Sequence, residues 1–185
     1  MLGAKVPDQN GAALRLEGTN FTLRGSFLQD NESGVLSGAN TASNVVIEDS
    51  ELGHKGFGTG LNRNLYIGNV ASLTFRYNFS HYTNVGHNLK LRARQHDYVQ
   101  PLLEPARRRN RQHRRRPAEL RPGFVNRAAY DLRPTANAMV IDAGSAPGVS
   151  ASGVALNPIA VYRHVAAGAT RATVGASDIG AYEAN

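Results

Sequence analysis

Apolar and polar residues alternate in short runs through the first half of the chain, and three of these runs repeat. Asn20-Phe-Thr-Leu-Arg-Gly-Ser26, Asn44-Val-Val-Ile-Glu-Asp-Ser50 and Ser72-Leu-Thr-Phe-Arg-Tyr-Asn78 each set two apolar residues, one apart, after a small polar one. The pairs Phe21/Leu23, Val45/Ile47 and Leu73/Phe75 are offset by 24 and then 28 residues. A period of two places each pair on one side of a strand and Thr22, Val46 and Thr74 on the other. Gly25-Ser26, Asp49-Ser50 and Tyr77-Asn78 follow as bends.

A second strand recurs in each unit. Asn64-Leu-Tyr-Ile-Gly68 and Asn88-Leu-Lys-Leu-Arg92 align at a spacing of 24, with Leu65/Ile67 and Leu89/Leu91 as apolar pairs. Ala13-Leu-Arg-Leu-Glu17 reads as an earlier copy, and Gly34-Val-Leu-Ser-Gly38 fills the rung between, with its inward register open. Short strands repeating every 24 residues or so, with no helical period between them, exclude βαβ units. They predict an all-β chain, a right-handed parallel β-helix whose coils stack about 4.8 Å apart over a continuous apolar column. An antiparallel sandwich has no reason to repeat its sequence in register.

Composition narrows the picture. The chain has 185 residues, enough for one domain with a core, and no cysteine, so disulfides and thiolate metal sites are excluded. No apolar run approaches the roughly 18 residues that a membrane span requires, and no signal-peptide pattern opens the chain. The net charge of +7 is local. Seven arginines lie between Arg107 and Arg116, and without them the chain is neutral.

Three segments result. Residues 1–93 carry the coils, and their first rung begins so early that an uncapped N-terminal coil, open to self-association, is expected. In residues 94–121 alternation stops and Pro101, Pro105 and Pro117 interrupt a like-charge block, which predicts a disordered Arg-rich insertion. Three readings of it stand side by side: an arm attracting polyanions, an unstructured insertion without a partner, and a frameshifted segment. The last rests on 18 arginines against three lysines, as GC-rich coding gives, and on one codon set allowed for Gln95–Glu104 that, read one base later, spells a string like the repeat unit. No specific nucleic-acid partner is expected. Residues 122–185 return to ordinary composition.

Asn10-Gly-Ala, Asp30-Asn-Glu-Ser-Gly34, Ile47-Glu-Asp-Ser-Glu51, Asn64-Leu-Tyr66, Ser80-His81, Gly86-His87 and Lys90-Leu-Arg-Ala93 occur in that order. Val140-Ile-Asp-Ala-Gly144 and Asp178-Ile-Gly-Ala-Tyr-Glu183 close the chain. Together they resemble bacterial right-handed parallel β-helix repeat proteins of the pectin-lyase-like superfamily, with Arg63 and Asn137-Ala-Met139 as departures. The resemblance implies a truncated β-helix with a C-terminal cap, from a family usually extracellular or at the cell surface and associated with polysaccharide. Asp142 and Asp178 are expected to bond backbone N–H groups at tight turns.

Candidate chemistry gathers on one strand pair. With Leu89 and Leu91 inward, Asn88, Lys90 and Arg92 point outward together, His87 precedes them, and Asn64 and Tyr66 lie one rung away. Uronate β-elimination needs a cation for the carboxylate and a base for the adjacent proton. Lys90, Arg92 and His87 are the catalytic candidates, and Asn64, Tyr66, His81 and Asn88 the binding candidates. A solvated strand face is the alternative. Asp30, Glu32, Asp49 and Glu51 read as turn caps rather than calcium ligands, since Glu51 aligns with Phe27 and Phe79. No metal or cofactor is expected. The expected function is binding or cleavage of an acidic polysaccharide, with a structural solenoid fragment without activity as the alternative and polyanion binding by the Arg-rich arm as a second.

Overall fold

The computed structural model describes residues 1–56, 62–99, 102–103, 123–126, 129, 131–149, 153, 155–180 and 182–184. The chain divides into two compact units, 1–107 with 162–168, and 108–161 with 169–185.

The first unit is a parallel β-solenoid of about three turns. Its successive rungs are β1 (Ala12–Leu16), β2 (Phe21–Arg24) and β3 (Phe27–Gln29); β4 (Ser33–Ser37), β5 (Asn40–Glu48) and β6 (Glu51–Gly53); β7 (Arg63–Ile67), β8 (Val70–Arg76) and β9 (Phe79–Ser80); and β10 (His87–Leu91), β11 (Gln95–Val99) and β12 (Leu102–Leu103). Three parallel sheets result, in the orders β1-β4-β7-β10, β2-β5-β8-β11 and β3-β6-β9-β12. Like residues stack as the repeat predicts: Phe21 on Val45 on Leu73, and Leu23 on Ile47 on Phe75. In the first sheet Val35 settles the open register, since it pairs with Leu14 and Leu65 and is fully buried.

Burial of this column is what holds the coils together. Leu28, Val35, Ile47, Leu52, Leu65, Ile67, Leu73 and Phe75 have no exposed surface. At the bends, Gly25, Asp49 and Tyr77 take left-handed φ of 52°, 51° and 54° at equivalent places. A side-chain ladder supports them. Ser26 N donates to Ser50 Oγ (3.1 Å), Ser50 N to Asn78 Oδ1 (3.0 Å), and Asn78 Nδ2 to the Ile47 carbonyl (2.8 Å). A second left-handed column, Asp30, His54 and Tyr82, makes the next corner.

Val46 lies in an inner strand of the four-stranded second sheet, opposite Thr22 on one side and Thr74 on the other. Val46→Pro deletes a ladder donor and is expected to cost about 3 kcal/mol or more, read as a fall in the denaturation midpoint. A neutral outcome would be incompatible with the parallel ladder.

Two sequence expectations change. The coils do not stop at Ala93: β11 pairs in register with β8, placing His96 opposite Leu73 and Tyr98 opposite Phe75, and β12 pairs with β9. The alternation disappears there because His and Tyr stand at the apolar positions, while the backbone ladder continues. Nor is the first coil wholly open. Leu2 bridges to Gln29, Glu32 N donates to the Ala4 carbonyl (3.0 Å), and the buried Glu32 carboxylate accepts Gly11 N (2.6 Å) and Val6 N (3.2 Å). Residues 1–4 thereby add a short piece to the third sheet. The arginine block at 107–116 lies outside the described residues.

In the second unit, β13 (Phe124–Asn126) pairs antiparallel with β14 (Asp131–Pro134). Asp178 accepts Asp142 N (2.7 Å) and Ala184 N (2.5 Å), as expected of a turn aspartate. The two closing motifs meet through Ile179 N to the Val140 carbonyl (2.8 Å), and Arg171 is buried against Glu183 (2.8 Å). Residues 140–144 and 177–180 hold one another by turns. The hairpin of β15 (Ala160–Arg163) and β16 (Ala167–Thr170) has its tip, residues 162–168, in the first unit.

Candidate functional site

The first sheet carries the surface that the sequence singles out. β10 pairs with β7 so that Lys90 lies opposite Tyr66 and His87 opposite Arg63. Tyr66 is half-buried, with the Arg63 guanidinium 5.4 Å and the Lys90 ammonium 5.8 Å from its ring centroid. Each contact of this kind contributes about 0.5–1 kcal/mol at a wet site. One rung further along, Leu36 and then Arg15 continue the row of Tyr66. His87 and Arg92 are exposed beside it. The face thus offers an aromatic ring with two cations held over it.

Asn64 does not belong to that face. It is fully buried, and its two Nδ2 hydrogens are shared among four acceptors within reach: the Leu52 carbonyl (3.1 Å), the His81 carbonyl (2.9 Å), Ser80 Oγ (3.1 Å) and Asn88 Oδ1 (2.8 Å). At the start of β7 the corner covers the strand, so a side chain of outward parity meets backbone carbonyls instead of water. Asn88, half-buried, accepts from Asn64 and from Thr83 Oγ1. Both side chains are engaged in joining coils.

His81 is likewise buried, at the second concentration of ionisable groups. Its Nε2 lies 2.9 Å from Glu51 Oε1, and its ring stacks on Phe79 at 4.1 Å. Gly53 leaves room for it: a Cβ there would come within 2.6 Å of His81 Nε2. Glu51 Oε2 accepts the Tyr162 hydroxyl and lies 3.0 Å from His164 Nδ1. Burial raises the Glu51 pKa, but hydrogen bonds from His81 and Tyr162 and the charges of His81 and His164 outweigh it and hold the carboxyl below its ordinary value. His54, edge-on to His81 at 5.4 Å, is pushed down by burial and then by His81, against the pull of Asp30 and Glu51.

No protein-family model matches the chain, and neither the curated proteins nor the solved structures give a significant match. Its chemistry therefore has to be read from its own residues.

Lys55 follows His54 and is fully buried in a column with Asn31 and Thr83, and its backbone bridges to Thr83. Its ammonium has no hydrogen-bond partner among the described residues. Burial lowers its pKa to about 7, with Asp30 opposing. Sequence pattern alone assigns no role to Lys55, Tyr162 or His164. Lys55 stands where the neighbouring coils carry Asn31 and Thr83, an alignment that would have revealed it. Tyr162 and His164 meet Glu51 across 111 and 113 residues, and no local pattern encodes that. Among the described residues no group of three or more His, Cys, Asp or Glu is placed to hold a metal, and no helix is long and apolar enough to cross a membrane.

Proposed function

We propose that the outer face of the first sheet binds acidic polysaccharide, Tyr66 stacking on a sugar ring while Arg63, Lys90 and Arg92 pair with its carboxylates. The observation that carries this reading is the Tyr66 ring with the Arg63 and Lys90 cations 5.4 and 5.8 Å from its centroid. Aromatic rings accept the C–H face of a sugar, and neighbouring cations add charge complementarity that salt screens. A solenoid presents such residues in rows at the rung spacing, which suits an extended polymer. The pectin-lyase-like motifs favour the same class of ligand. Asn64, Asn88 and His81 support the face from beneath through the corner that they hold together. His87, exposed opposite Arg63, stands at its rim.

Affinity electrophoresis through a gel containing polygalacturonate tests the reading. The unaltered chain should be retarded, less so at high salt, and Tyr66→Ala with Lys90→Gln should weaken binding by about tenfold or more. A parallel variant with glutamine at the seven arginines between Arg107 and Arg116 should retain the part due to Tyr66. Retardation lost in that variant and untouched by the Tyr66 and Lys90 substitutions would transfer binding to the Arg-rich segment. The appearance of an unsaturated, ultraviolet-absorbing uronate, abolished by Lys90→Gln, would extend binding to β-elimination.

A further inference from the structure

Glu51 occupies a singular position in its column. Its register neighbours are Phe27 on β3 and Phe79 on β9, so the carboxylate lies between aromatic residues and is only 3% exposed. An ionised carboxylate in such a place requires polar partners. The coils supply His81, and the hairpin tip supplies the Tyr162 hydroxyl and His164 Nδ1, both on Oε2. The same hydroxyl accepts Ala166 N at 3.0 Å, which ties the shape of the tip to the carboxylate.

The rest of the tip has little with which to hold on. Tyr162 lies tilted over Phe79 at 5.6 Å between centroids, while Val165 remains 55% exposed. Ala166 and Gly168 lie against Gly25 and Asp49, where small residues allow close approach but bury little apolar area. We propose that residues 162–168 form a proton-gated latch, docked on the bend that carries Glu51 while this carboxylate is ionised and lifting off when it is protonated. Opening bares the Phe27–Glu51–Phe79 column on the third sheet.

The charges around Glu51 set the direction. His81 faces it from the residue after β9, His164 and the Tyr162 hydroxyl from the tip, and His54 from the bend after β6 with Asp30 and Lys55 near it, while Asp49, on the bend before, lies against Gly168 of the tip. Glu51 is held below 4.5, so its contribution to docking is complete above that pH and is lost as pH falls through its lowered value. Charging of His54, which burial and His81 oppose, weakens the same corner from 6.5 downward. Glu51→Gln separates the two, because it removes the first dependence and leaves the second.

Amide hydrogen exchange, corrected for intrinsic pH dependence, follows the tip and the coils in one experiment. In the unaltered chain, exchange in 162–168 should accelerate by about tenfold or more below pH 4.5 while β5 stays protected, a loss in keeping with charge-assisted hydrogen bonds. Glu51→Gln should open the tip already at neutral pH and flatten the step below 4.5. Should Glu51→Gln also unprotect β5, the double variant Tyr162→Phe, His164→Gln, which leaves the Glu51–His81 pair intact, is decisive: the tip should be open at every pH with β5 protected. A tip as well protected far below 4.5 as at neutral pH in the unaltered chain, or still protected in the double variant, would overturn the latch.

Discussion

Lys55→Met is expected to stabilise the solenoid by about 1–4 kcal/mol at pH 7, the range in which apolar residues of similar shape replace buried charges. Lys55 is fully buried, and its ammonium has no hydrogen-bond partner among the described residues. Its four-carbon stem is already accommodated, with Cε 3.0 Å from where a Cβ on Gly34 would stand. Methionine keeps most of that stem and removes the amine. The sign with pH follows from linkage. Burial lowers the lysine from 10.5 to about 7, so the unfolded chain binds the proton more tightly. The penalty is absent above 10.5, grows as pH falls, and is fully developed below about 7. The whole drop corresponds to about 5 kcal/mol at most. Urea denaturation of both proteins at pH 7 and near pH 10 reads it: the gap between them should shrink at the higher pH. A Lys55→Met variant less stable than the unaltered chain at pH 7 would mean that the amine is held by a partner.

Phe75→Ala should cost about 3–5 kcal/mol, the range for deleting a fully buried aromatic ring from a close-packed core. Phe75 has no exposed surface and stacks in register with Ile47, which stacks on Leu23. A solenoid has only its neighbouring rungs to fill such a void. The loss should therefore appear as a fall in the denaturation midpoint together with faster amide exchange in β5 and β8. An effect under about 1 kcal/mol would place Phe75 at the surface and dissolve the column.

The repeat of Phe21/Leu23, Val45/Ile47 and Leu73/Phe75 was legible because three rungs carry apolar residues at the same two positions, and the register follows it residue for residue. It became illegible at β11, where His96 and Tyr98 take those positions while the ladder persists. Strand parity placed Tyr66 and Lys90 together on the outer face but misplaced Asn64. Parity describes a flat sheet, and at the corner the neighbouring backbone covers the strand and draws the amide to its carbonyls. Glu51 read as a turn cap because its repeat positions are phenylalanines. What it does depends on Tyr162 and His164, more than 100 residues away. Local alternation therefore reveals the coils, whereas a long-range ionic cluster becomes visible only once the chain has folded.

The proposed polysaccharide face is tested most directly by the amide and side-chain NMR shifts of the full chain as an oligogalacturonate is added. The Tyr66 ring should shift first, together with Arg63, Lys90 and Arg92, and the shifts should vanish in Tyr66→Ala while the core resonances of Ile47 and Leu65 stay in place. Shifts confined to Arg107–Arg116, or no shifts at saturating ligand, would contradict a polysaccharide face on the first sheet.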